Sequence, residues 1–193
     1  MKGTERLRIP KTRIAVLIGP EGKVKQRLEK ATNTTITVDS EDGLVVIETK
    51  EDTEDPLATW KARDVAQAIG RGFSPHRAFW LLDEDVYLRV IDLEEYVTTP
   101  NQVRRVKGRV IGEGGKTRRN IEELTDTYVS VMGDTISIIG ELENQEVAIS
   151  AVLRLLRGAE HSSVYRYLNE QRRTLKRRRA VELWKPIGPD TTD

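Results

Sequence analysis

Hydrophobic residues along this chain alternate between two periods, and the switches fall at matching places in its two halves. Leu7 to Ile9 reads as a short extended run. After Pro10, set in the first turn of a helix where its missing N–H costs nothing, Ile14, Leu17 and Ile18 form a helical stripe that stops at Gly19. A second helix is predicted over Lys23 to Ala31, with Val24, Leu28 and Ala31 on one face. The period then drops to two: Thr35 to Val38 alternates as a half-buried strand, Asp39 to Gly43 turns, and Leu44 to Ile47 reads as a more fully buried strand. Asp55-Pro56, an N-cap residue followed by proline, opens a helix carrying Leu57, Trp60, Val65 and Ile69. The predicted order is β-α-α-β-β-α.

The same order returns. Arg71-Gly72-Phe73 ends the first series, and Ser74-Pro75 starts a short helix through Phe79, Trp80 and Leu82 whose aromatic residues suit an inter-domain contact. Val86 to Ile91 is the next strand, and Thr99-Pro100 repeats the cap-and-proline start before a helix over Gln102 to Ile111. A helix over Lys116 to Leu124, strands over Tyr128 to Val131 and Thr135 to Ile139, and a closing helix lined by Leu142, Val147, Ala151, Val152 and Leu155 complete it. Val164 to Leu175 is a further helical pattern, too poor in apolar residues to form a core alone, so it is expected to dock on a domain or lie along a nucleic acid. Pro186 to Asp193 is expected to fray.

Between the paired helices of each series stands a glycine turn, Ile18-Gly19-Pro20-Glu21-Gly22-Lys23 and, 93 residues on, Ile111-Gly112-Glu113-Gly114-Gly115-Lys116. At that offset Leu28 falls on Ile121, Glu29 on Glu122, Thr32 on Thr125, Thr34 on Thr127, Ile36 on Val129 and Val38 on Val131. Duplication is thus the organising fact. It divides the chain into a first unit at residues 1–72, a helical linker at 73–84, a second unit at 85–158, and a basic C-terminal helix and tail at 159–193. Two glycines so spaced let the chain turn sharply between helices and bring backbone N–H groups close to an anion.

Charge distribution supports that reading where the net charge of +1 does not. Nine Lys and Arg stand against three acids from Met1 to Lys30, seven against one from Asn101 to Asn120, and nine against two from Arg154 to Arg179; nine acids gather between Asp39 and Asp64. Cations concentrated around the turns and in the tail are the footprint of a nucleic-acid surface. The absence of cysteine removes thiolate metal sites, disulfides and cysteine nucleophiles together. With no apolar run long enough to span a bilayer and no apolar leader, a cytoplasmic location is expected. His76 and His161 stand apart without a ligand pattern, and no nucleophile motif or phosphate-binding P-loop is present, so neither metal, cofactor nor catalysis is expected.

The β-α-α-β-β-α order with Gly-x-x-Gly between adjacent helices resembles the K-homology (KH) domain of eukaryotic type, here twice in tandem. The run Lys107 to Arg119 further resembles the second KH domain of the archaeal and eukaryotic ribosomal-RNA assembly factors named as partners of the Nob endonuclease. The resemblance covers roughly Arg6 to Leu156. It implies an α+β fold, two type I KH domains each with a three-stranded sheet packed on helices, and a turn that clamps the backbone of single-stranded RNA beside an apolar groove for the bases. It also implies action on the 3′ region of small-subunit ribosomal RNA, with the Nob endonuclease and a translation initiation factor subunit as further partners.

In the second copy the RNA-binding residues so implied are Gly112, Glu113, Gly114, Gly115, Lys116, Arg118 and Arg119, extended along the preceding helix by Arg104, Arg105, Lys107 and Arg109. In the first they are Gly19, Pro20, Glu21, Gly22, Lys23, Lys25 and Arg27, with Lys11 and Arg13 ahead of them. Pro20 removes a backbone donor and Glu21 adds a negative charge, so the second turn is expected to be the stronger clamp. Two other readings remain: a scaffold whose KH folds dock a nuclease or initiation factor, and a general binder of messenger or regulatory RNA.

Overall fold

A computed structural model describes residues 3–183. Strand β1 (Thr4–Arg8), helices α1 (Lys11–Ile18) and α2 (Lys23–Thr32), strands β2 (Thr34–Val38) and β3 (Leu44–Thr49) and helix α3 (Ala58–Gly70) form the first unit. Its antiparallel sheet runs β1-β3-β2, with Leu7 paired to Val45 and Ile36 to Ile47. The last strand by sequence takes the centre because it is the most apolar: Val45 and Ile47 are fully buried under the helices.

A linker of α4 (Pro75–Ala78) and a 3-10 turn over Phe79–Leu82 leads to the second unit. Strand β4 (Val86–Asp92), helices α5 (Pro100–Ile111) and α6 (Lys116–Thr125), strands β5 (Tyr128–Met132) and β6 (Thr135–Glu141) and helix α7 (Leu142–Leu156) repeat the plan, with sheet order β4-β6-β5. Helix α8 (His161–Leu183) follows. Among the described residues of this helix Val164 and Leu168 are completely buried, which suffices to dock it on the core of the second unit. Its predicted span of Val164 to Leu175 was therefore too short at both ends, and the expected fraying of Pro186 to Asp193 lies outside the described residues.

The matching positions keep their jobs. Thr32 and Thr125 each bond back to a helical carbonyl, Leu28 at 2.8 Å and Ile121 at 2.7 Å, and each meets the threonine two residues on at 2.8 Å. Glu29 accepts from the N–H of Ile36 at 2.8 Å as Glu122 does from Val129 at 2.9 Å. These bonds satisfy polar groups at the buried helix-to-strand corner, so glutamate and threonine persist there. Left-handed Asn33 and Asp126 turn the same corner.

Four expectations need correction. Pro10 lies just ahead of α1, in extended conformation, and β1 is displaced toward the N-terminus from Leu7–Ile9. Asp55 does not cap α3: its carboxylate accepts from Leu57 N–H at 2.8 Å and pairs with Lys61 at 3.0 Å, closing a turn before the helix begins at Ala58. Leu57, Trp60 and Leu142 are then exposed, and the buried faces are carried by Ala58, Ala62, Val65, Ala66 and Ile69 in α3 and by Val147, Ala148, Ala151, Val152 and Leu155 in α7.

The linker aromatic residues do join the halves. Phe79 and Leu81 are buried in one apolar cluster with the first unit's core and with Val86 and Ile139 of the second sheet. Trp80 meets Tyr128 edge-on, ring centres 5.4 Å apart. Ser130 donates to Arg71 carbonyl at 2.8 Å across the same junction. The first unit thus covers the back of the second sheet, and every residue of β6 up to Gly140 is buried.

Candidate nucleic-acid interface

Each glycine turn begins with a residue that nothing but glycine can replace. Gly19 and Gly112 have φ near +70° with extended ψ, and a Cβ on either would collide with the helix that follows, against Val24 or Thr117 and their backbone nitrogens. The third residue is left-handed in both turns, Glu21 at φ 53° and Gly114 at φ 55°. Glycine adopts this at no steric cost; the glutamate in the first copy stores local strain. Gly114 faces open space, with no atom within 4 Å of where a Cβ would lie.

The surrounding cations divide the copies more sharply. In the first, Lys23 pairs with Glu21 at 2.7 Å, Lys25 with Glu29 at 3.0 Å, and the Arg27 guanidinium lies 4.5 Å over the ring of Phe79. Arg13 points inward and donates to the carbonyls of Ile69 (2.8 Å) and Phe73 (2.6 Å), closing the C-terminus of α3, and burial lowers its pKa from the ordinary value. Lys11 alone of these five carries no partner among the described residues.

In the second copy Lys116, Arg119, Arg104 and Arg105 are exposed and free of ion pairs among the described residues. Lys107 bonds to Gly133 carbonyl at 2.7 Å in the β5–β6 turn, and Arg109 donates to the carbonyls of Leu155 and Ala159 at the end of α7. Arg13 and Arg109 thus serve as helix-end anchors. Each lies on the helix ahead of its glycine turn with Nε and Nη2 donating to carbonyls inside the fold.

Beside the second turn, between α6 and the edge strand β5, lies a recess of about 390 Å³ walled by Ile111, Val129 and Val131, with Arg118 within it. Arg118 reaches Glu122 at 3.2 Å, and Glu122 also receives Arg77 at 3.0 Å. The far wall is not part of the second unit: Gly72, Phe73, Ser74 and Arg77 of the inter-domain segment supply it. Sequence reading missed this wall. The signal available was Arg77 beside the aromatic pair Phe79-Trp80, in a segment otherwise read as a spacer. Helix α8 braces the same turn from behind, through Tyr165 hydroxyl to Thr117 hydroxyl at 2.9 Å and His161 Nε2 against Arg109 carbonyl at 2.9 Å.

Two such turns, each inside a β-α-α-β-β-α unit with a three-stranded antiparallel sheet, define a tandem type I KH protein. Residues 87–173 match the eukaryotic-type KH domain (KH-domain type I), and residues 8–84 match the Krr1 KH1 domain. A KH domain-containing protein of Methanocaldococcus jannaschii is 49% identical over 184 residues, 95% of this chain and 80% of its own length. The pre-rRNA-processing protein pno1 of Schizosaccharomyces pombe is 32% identical, over 65% of this chain and 53% of that protein. A chain in the crystal structure of the a/eIF2alpha-aDim2p-rRNA complex from Pyrococcus horikoshii OT3 superposes with a TM-score of 0.85 at 51% identity, covering 90% of this chain and 96% of that one. Dim2p from the same organism gives 0.82 at 52% identity, over 87% and 99%. The chain belongs to the KH-domain family of ribosomal-RNA assembly factors that the archaeal Dim2p and the PNO1 proteins represent, a family of RNA-binding proteins that are not enzymes. No helix among the described residues is long and apolar enough to cross a membrane.

Proposed function

We propose that this protein is a cytoplasmic ribosome-assembly factor that holds the single-stranded 3′ region of small-subunit ribosomal RNA, with residues 85–158 as the principal clamp. One observation carries the reading: the second glycine turn is open at Gly114 and flanked by Lys116 and Arg119, which have no ion pair among the described residues, beside a recess walled by Ile111, Val129 and Val131. Phosphates settle on the turn and the start of α6, where backbone N–H groups and the helix dipole favour negative charge, and bases enter the recess. Relatives in complexes or pathways named for rRNA point the same way. A nuclease of the Nob type and a translation initiation factor subunit are the protein partners, the latter suggested by the a/eIF2alpha complex of the Pyrococcus protein.

The first unit, residues 1–72, favours a second role. With Lys23 neutralised by Glu21 and Arg13 turned inward, it offers little to a phosphate and is suited to docking a protein partner. The decisive experiment replaces Gly114 and Gly115 by Asp and measures binding to a single-stranded oligonucleotide of the rRNA 3′ end. Affinity should fall by a hundredfold or more, about 3 kcal/mol, as two carboxylates meet the backbone. Unchanged affinity, in a variant of unaltered circular dichroism, would remove the second turn from the RNA path.

A further inference from the structure

A second recess, about 490 Å³, opens where the C-terminal half of α6 meets the start of β5. Trp80 and Tyr128 supply aromatic surface, with the Arg77 guanidinium 4.7 Å over the tyrosine ring. Arg119 stands at one side, and the carboxylates of Glu123 and Asp126 face in without hydrogen-bond or ion-pair partners among the described residues. Arg77 lines both this recess and the groove of the second clamp, so the two adjoin across its side chain.

None of this chemistry is demanded by the fold. At the offset of 93 the first copy has Gln26 for Arg119, Lys30 for Glu123, Asn33 for Asp126 and Thr35 for Tyr128. The unit with the open turn is the one that acquired aromatic and carboxylate groups here. We propose that the recess is an accessory base pocket, which takes one unstacked guanine from the strand leaving the clamp groove. The base stacks on the aromatic surface. Its N1–H and 2-amino group then donate to Asp126 or Glu123, a pairing that adenine, uracil and cytosine cannot offer in the same geometry. Arg77 and Arg119 favour a neutral base and its phosphate over the competing occupant, a lysine or arginine of a protein partner.

The inference rests on the second turn being the RNA clamp, and its test separates the two. The full chain is titrated with single-stranded 12-mers of mixed uridine and cytidine in which one guanosine is moved along, with adenosine or inosine substituted at each place. One register outside the clamped nucleotides should favour guanosine over adenosine by roughly tenfold, with inosine between. Glu123→Gln with Asp126→Asn should bring that ratio to near one while binding to guanosine-free RNA is kept or strengthened; asparagine is tolerated at the left-handed corner, as Asn33 shows. Gly114→Asp with Gly115→Asp should weaken every oligonucleotide alike. A wild-type protein with no such register, or a ratio that survives the carboxylate changes, overturns the pocket, including the case in which those changes abolish binding of a basic peptide instead. Intact binding by the glycine variant overturns the clamp alone.

Discussion

The two glycine turns share a backbone and differ in what surrounds it. Both begin with a glycine locked against the next helix, both place a left-handed residue third, and both end on a lysine that starts a helix. In the first, Pro20 and Glu21 occupy the middle and the lysine pairs with that glutamate; in the second, Glu113 and Gly114 occupy it, Gly114 faces open space, and the lysine has no ion pair among the described residues. The lesson is that a repeated turn preserves a shape, whereas phosphate affinity depends on whether the nearby cations already have partners inside the protein.

Mutations can break or sharpen this contrast. The largest effect on stability should come from Gly112→Ala, which puts a Cβ against Thr117 side chain and backbone at a φ that alanine resists; unfolding in urea should show a loss of about 3 kcal/mol, and Gly19→Ala a similar one. Equal losses would establish that the shape matters alike in both copies. Glu122→Gln comes next. Its carboxylate holds Arg77, Arg118 and the Val129 N–H, while Glu29 holds only Lys25 and Ile36 N–H. The glutamine variant should lose about 2 kcal/mol and more than Glu29→Gln, read from thermal melts of both. A smaller loss, about 1 kcal/mol, is expected for Thr99→Ala, because Thr99 and Gln102 form a reciprocal cap at the start of α5. Helix α1 has no side-chain cap to lose.

The smallest effect is the most discriminating for function. Lys116→Ala should weaken RNA binding only a few-fold but lower the slope of log affinity against log salt by about 0.7, the share of one neutralised phosphate on a single strand. Lys23→Ala should lower the slope less, since Glu21 stands 2.7 Å from that lysine and competes with a phosphate for it. A slope that drops equally for both would erase the proposed division of labour.

The duplication, the element order and the glycine turns were legible because each rests on local rules: apolar period, cap residues and the need for glycine at positive φ. Matched residues such as Glu29 with Glu122 and Thr32 with Thr125 could be aligned by offset alone, and the structure supplies their reason in the bonds at the helix-to-strand corner. Errors arose where a neighbour in space outvoted the local pattern. Trp60 fits the apolar stripe of α3, yet its indole lies at the surface and donates to Glu5 at 2.9 Å. Arg109 stands three residues before the turn amid other cations, yet its donors go to the carbonyls at the end of α7.

Periodicity and spacing alone thus settled that the chain builds two sibling units and where each bends, since helix, strand and tight turn are governed by residues close in sequence. Which cations remain free, and that a linker from the first unit forms a wall of the groove in the second, were decided only by tertiary packing. Partners for a guanidinium or an ammonium are chosen by distance in the folded chain, and residues more than forty apart, such as Arg77 and Glu122 or Arg13 and Ile69, come within 3 Å only once the chain has folded.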